Sequence, residues 1–162
     1  MDAIVLFSHG SVLCGSGVAL DAHAQRLRES GIAPIVEVGY LNYSEPAFGD
    51  TVARCVLAGA TRILVAPYFL VPGYFVDTAL PKAVAAAQEQ FPALTFAVAK
   101  AIGFDEMLAD VLITSAQSAR PSALWGEDLQ RASQFCRPNP QCPLFGTPAC
   151  PKQPLPPVQE AV

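Results

Sequence analysis

Histidine is scarce in this 162-residue chain, with only His9 and His23, and several other features are scarce or missing with it. Charged residues make up only 15%, the Lys and Arg residues form no cluster, and the net charge is −4. A phosphate backbone or an anionic lipid surface needs a basic patch, so neither nucleic acid nor a membrane is expected as a partner. No apolar stretch approaches the roughly 20 residues of a bilayer span. The longest uncharged apolar runs cover residues 63–71 and 83–87. Met1-Asp2 leads straight into an apolar run with no basic n-region and no cleavable h-region, which predicts a cytoplasmic protein. Gly15-x-Gly17 lacks the third glycine of a dinucleotide loop, and no Gly-Lys-Ser/Thr follows it. A Gly-x-Ser-x-Gly elbow is also missing, and Ser8 and His9, as neighbours on a strand, point to opposite faces, so a serine hydrolase is discounted.

What is present is apolar: 52% of the chain, enough for one core and too little length for two comfortable domains. Residues 3–7 read Ala-Ile-Val-Leu-Phe, a pattern suited to a central strand buried on both faces. Residues 17–30 alternate Val18, Ala19, Ala22, Ala24 and Leu27 with Asp21, Gln25, Arg26, Arg28 and Glu29, an amphipathic helix closed by Gly31. Further strands are predicted over residues 34–41, 61–70 and 94–99. Helices are predicted from Ser44-Glu45-Pro46 to about residue 58, with Ser44 as cap, and over residues 78–90 and 106–118. Strands alternating with helices of this length imply a doubly wound, mainly parallel α/β sheet of about four strands, flavodoxin-sized, with helices on both faces. The domain is predicted to occupy residues 1–120. Residues 121–162 hold nine of the fifteen prolines and are predicted to form a Pro/Cys-rich extension, with one candidate helix over 123–135 and irregular chain beyond.

His9 falls at the carboxyl end of the first strand, followed by Gly10-Ser11, small residues that leave room for a ligand to reach the imidazole. In open α/β sheets ligands bind in the crevice outside those strand ends. The competing reading is a histidine that merely hydrogen-bonds a turn. His23 sits in mid-helix and reads as part of a solvated helix face. The second informative stretch runs from Pro67 to Phe75, ending the third strand on the same rim. It reads either as an apolar surface turn with Gly73 at positive φ or as a binding wall. Tyr68, Phe69, Tyr74 and Phe75 present more aromatic surface than a turn requires and suit a flat, apolar ligand.

Ser8-His9-Gly10-Ser11, Pro67-Tyr-Phe-Leu-x-Pro-Gly73 and Leu80-Pro81, in that order and spacing, resemble the short-form sirohydrochlorin chelatases. The resemblance covers about residues 3–119, with Glu45-Pro46 and Ala101-Ile-Gly103 also fitting. It implies insertion of Co²⁺, Fe²⁺ or Ni²⁺ into a polycarboxylate tetrapyrrole, as in cobalamin and siroheme-type biosynthesis. The metal is then a substrate, no permanently bound cofactor is expected, and the chain pairs as a homodimer. By the same resemblance His9 is metal ligand and catalytic base, while Ser8, Gly10, Ser11, Tyr68, Phe69, Gly73, Tyr74, Phe75 and Asp77 line the substrate. The chain departs from the family pattern at four places: Phe75 replaces a histidine, Ala79 an aspartate, Val12 an arginine and Asn42 an acidic residue. Asp77, two residues early, is the candidate replacement. The alternative implied by these departures is a catalytically impaired homologue that binds or carries a metal or tetrapyrrole.

The five cysteines are an odd number. Cys14 and Cys55 are expected to be free thiols. Cys136-x5-Cys142-x7-Cys150 is a candidate set for a metal or an iron–sulfur cluster, but it lacks the Cys-x-x-Cys spacing and has three thiols where a full set needs a fourth. A thiol-bearing tail without a cluster is the favoured reading.

Overall fold

The computed structural model describes residues 1–11 and 17–124. Four strands form one parallel sheet in the order β2-β1-β3-β4: β1 (Asp2–Ser8), β2 (Ile35–Tyr40), β3 (Arg62–Pro67) and β4 (Thr95–Val98). β1 lies between β2 and β3, with Phe7 opposite Gly39 on one side and Pro67 on the other. That central place explains its unbroken apolar sequence, because both of its faces must be covered.

The period-2 alternation along β1 divides the core into two layers. Ala3, Val5 and Phe7 face α2 (Phe48–Leu57) and α3 (Leu80–Gln90), packing with Phe48, Val52, Cys55, Ile63, Val65 and Leu80. Leu6 faces the other way onto α1 (Val18–Ser30), against Leu20, Ala24, Val36 and Val38. Gly31 ends α1 in the left-handed conformation, with φ of 68°, and donates its N–H to the Arg28 carbonyl.

Local details depart from the sequence expectation. Ser44 does not cap α2. The helix begins later, with Ala47 at the cap position, and the Ser44 hydroxyl instead receives the Ser11 N–H at 3.1 Å. Pro46 lies in the preceding loop after a cis Glu45–Pro46 bond, and its carbonyl receives the Tyr40 N–H at 3.0 Å. Helical chain starts earlier than expected, at Phe75, because a π-helical turn, Phe75–Ala79, runs directly into α3. Gly73 does not have positive φ. Its carbonyl accepts the N–H groups of Val76 and Asp77 at 2.9 and 2.8 Å, which starts the wide turn.

α4 (Glu106–Gln117) is capped by the Asp105 side chain, which accepts the Met107 N–H at 2.9 Å, yet it buries none of its residues. Its apolar side chains stay open, with Met107 79% and Val111 60% exposed, beside Phe104 at 86%. After a short 3-10 turn, Ser122–Leu124, the candidate helix over 123–135 and the cysteines Cys136, Cys142 and Cys150 lie outside the described residues, as does Cys14. No helix among the described residues is long and apolar enough to cross a membrane.

Candidate functional site

From β1 the chain moves outward to β2 and then returns to β3 on the other side of β1. The two loops leaving β1 and β3 therefore diverge, and the crevice between them is where open α/β sheets bind ligands. His9 stands on the first loop and Tyr68 to Asp77 on the second, so topology alone brings together the two stretches that the sequence singles out.

Backbone hydrogen bonds continue beyond the strand ends and fix both loops. The Phe7 carbonyl accepts the Tyr68 N–H at 2.7 Å, Ser8 that of Leu41 at 2.9 Å, and His9 that of Asn42 at 3.0 Å. The Ser11 N–H and Ser44 hydroxyl add the contact already described, and the Ser44 hydroxyl also donates to the Ser11 carbonyl at 3.4 Å. Gly10, with φ of +82°, has no room for a β-carbon, which would run into the Asn42 carbonyl oxygen. The glycine after His9 is thus required by two loops crossing at contact distance. On the β3 side, the Phe69 and Leu70 carbonyls accept the N–H groups of Ile102 and Gly103, both at 2.9 Å, tying in the loop after β4.

His9 shares the face of Phe7, and its half-buried ring meets an aromatic wall. The Phe75 ring lies 4.8 Å from the imidazole with planes 26° apart, and Phe69 lies 6.1 Å away at 39°. Phe69 and Phe75 stack on each other at 5.9 Å and 20°, Tyr74 stands edge-on to Phe75 at 5.6 Å, and Phe7 backs Phe69 at 6.2 Å. Stacking engages the ring faces, not the edges that carry the imidazole nitrogens. The wall includes half-buried Phe69 and Phe75 and the exposed Tyr74.

The remaining residues named from sequence are arranged around this wall. Asp77 is exposed within the π-helical turn, whereas Ala79 is buried beside Leu80. Among the described residues no three His, Cys, Asp or Glu side chains converge on a point that would hold a metal, so His9 and Asp77 share no such group of three. His23 is exposed, but it is not only a solvated face. Its ring lies 5.3 Å from that of Tyr68, with Nε2 3.4 Å from the phenol oxygen. Helical periodicity cannot reveal that meeting, because it depends on where β3 ends relative to α1. Lys82 in the first turn of α3 and Lys100 just beyond β4 are exposed at the same end of the sheet, and sequence reading passed over both. A separate groove of about 230 Å³ between α2 and α3, lined by residues including Phe48, Ala83 and Gln90, includes neither histidine.

Residues 3–119 match the CbiX family. A chloroplastic sirohydrochlorin ferrochelatase of Arabidopsis thaliana is 32% identical over 111 residues, 68% of this chain and 49% of the relative. A sirohydrochlorin cobaltochelatase of Methanocaldococcus jannaschii is 38% identical over 82 residues, 51% of this chain and 57% of the relative. The chain thus spans about half the length of the curated relatives it matches. In structure it is similar to the sirohydrochlorin chelatase SirB from Bacillus subtilis subspecies spizizenii in complex with cobalt. That likeness has a TM-score of 0.68 at 22% identity, over 82% of this chain and 60% of the other, and it shows a common fold.

Proposed function

The chain belongs to the CbiX family, and from that premise we propose that it inserts Co²⁺, or Fe²⁺ or Ni²⁺ in the same role, into sirohydrochlorin. The proposal makes His9 the metal ligand and proton acceptor and has the chain work as a cytoplasmic homodimer. One observation carries it: a half-buried imidazole at the topological switch point, with its ring face against aromatic side chains.

Insertion exchanges a divalent ion for the two pyrrole N–H protons of the macrocycle, so the protons must leave as the metal enters. A neutral imidazole nitrogen binds first-row ions, and a single one holds them loosely enough to hand them on. Once the ion has passed to the ring nitrogens, the same lone pair is free to take a proton, and water carries both protons away. Phe69, Tyr74 and Phe75 offer the macrocycle a flat apolar wall. Ser8, Gly10, Ser11, Tyr68, Gly73 and Asp77 complete the rim, while Lys82 and Lys100 supply positive charge for a polycarboxylate.

The homodimer is supported by one feature: α4 with Phe104 leaves apolar side chains uncovered among the described residues, a surface that a second copy would bury.

A second reading is a carrier that binds a metal or tetrapyrrole without turning it over. It is favoured by Phe75, which packs an apolar ring on His9 where the resemblance places a histidine. The deciding experiment adds sirohydrochlorin and Co²⁺ to the purified chain and follows the absorbance change of metallation. A rate above the protein-free reaction supports the enzyme. A rate equal to it, with tetrapyrrole still retained on gel filtration, supports the carrier.

A further inference from the structure

We infer that His23 and Tyr68 form a carboxylate-binding station on the opposite side of β3's end from His9, so that the site grips an acid side chain of its ligand there. The inference rests on the proposal that the ligand is a polycarboxylate tetrapyrrole.

The argument begins with the backbone. Tyr68 and Phe69 are consecutive at the end of β3, and the Tyr68 N–H is pinned to the Phe7 carbonyl at 2.7 Å. Consecutive residues in extended chain point to opposite faces. Phe69 accordingly turns toward His9 and Phe75, while Tyr68 turns toward α1 and meets His23. One dipeptide therefore carries the aromatic wall on one side and holds the chain's second imidazole on the other. Both members of the pair are open to solvent, with Tyr68 40% exposed.

Its hydrogen-bond inventory selects the ligand. A phenol and a neutral imidazole own one O–H and one N–H between them. The contact from the Tyr68 oxygen to His23 Nε2, 3.4 Å, uses one of these donors. If the phenol donates to Nε2, the other ring nitrogen, Nδ1, keeps its hydrogen. If Nε2 donates to the phenol oxygen, the phenol hydrogen is released. In either tautomer one donor remains for an acceptor from outside, and protonation of the ring adds another. An acceptor-only group such as a carboxylate is the complement of that surplus. A metal ion is a poorer match, because among the described residues His23 belongs to no group of three His, Cys, Asp or Glu side chains that could hold one. A tetrapyrrole with acid side chains around its edge has carboxylates to offer beyond the ring face that rests on the wall.

The test uses the small number of histidines. The imidazole Cε1–H region of a ¹H–¹³C spectrum of the full chain should show two signals, assigned with His9→Ala and His23→Ala. Metal-free sirohydrochlorin is then titrated in, and Kd is measured by fluorescence for wild type, His23→Ala and Tyr68→Phe. We expect the His23 signal to move on binding and each variant to weaken binding about three- to tenfold, as for one net hydrogen bond. The octamethyl ester of the same macrocycle should leave the His23 signal in place. If sirohydrochlorin moves the His9 signal alone and both variants bind as wild type, this station is wrong while the chelatase reading stands. If wild type binds no sirohydrochlorin and neither signal moves, both readings fall together.

Discussion

An imidazole that must catch an ion and release it needs one reachable nitrogen and a ring that does not swing away. Phe75, stacked on His9 at 4.8 Å, provides the second condition. Such pairs contribute about 0.5–1.5 kcal/mol beyond their buried area. Replacing Phe75→His removes that packing and adds a second nitrogen donor beside the first. Co²⁺ affinity, measured by calorimetry, is expected to rise at least tenfold; an unchanged affinity would mean that the two side chains do not converge. Gly10 is constrained by sterics alone, because a β-carbon there meets the Asn42 carbonyl. Gly10→Ala should lower the urea unfolding free energy by about 1–3 kcal/mol, a cost set by left-handed backbone and close contact. Cys55 tests the core. Burial is the main cause that pushes its thiol from 9.0 up to about 11, Glu37 pushes the same way, and Arg54 opposes them. A folded-state value above the unfolded one means the protonated thiol favours folding below pH 9, and this contribution is lost as pH rises through about 11. Alkylation of Cys55 should therefore wait for unfolding, with a native labelling rate far below that in denaturant.

At the scale of elements, the sequence is most legible where burial decides and least where loops meet. Residues 3–7 announce a central strand because both faces are covered, and β1 occupies Asp2–Ser8 between β2 and β3. His9 is placed by the same logic, since a parallel strand delivers its next residue to the carboxyl rim. Ser44 shows the limit. Its type suits a helix cap, but its hydroxyl is taken by Ser11, 33 residues away, and no local rule contains that partner. The π-helical turn Phe75–Ala79 is equally silent in sequence, because it arises where the loop anchored by the Gly73 carbonyl joins α3. His23 reads as a solvent-facing position, and only the end of β3 reveals Tyr68 against it. α3 itself is held by Leu80, fully buried against β1, β3 and α2. Leu80→Ala should cost about 2–5 kcal/mol in thermal or urea unfolding and reduce metallation only by lowering the folded fraction.

At the scale of the molecule, the described chain has one well-covered half and one open one. α1, α2 and α3 bury their apolar faces on the sheet, whereas α4 buries nothing, and Phe104, Met107, Val111, Leu112 and Ile113 remain exposed. If a second copy covers that face, light scattering should give twice the mass of 17.1 kDa, and Phe104→Asp with Met107→Glu should return the monomer. A monomeric wild type at micromolar concentration would contradict the pairing. The central claim concerns His9, and it is tested most directly by the initial rate of Co²⁺ insertion into sirohydrochlorin, followed by absorbance, for wild type and His9→Ala at equal folded concentration. Loss of a ligand that also accepts protons predicts a fall of at least about 100-fold. Equal rates in the two proteins would contradict it.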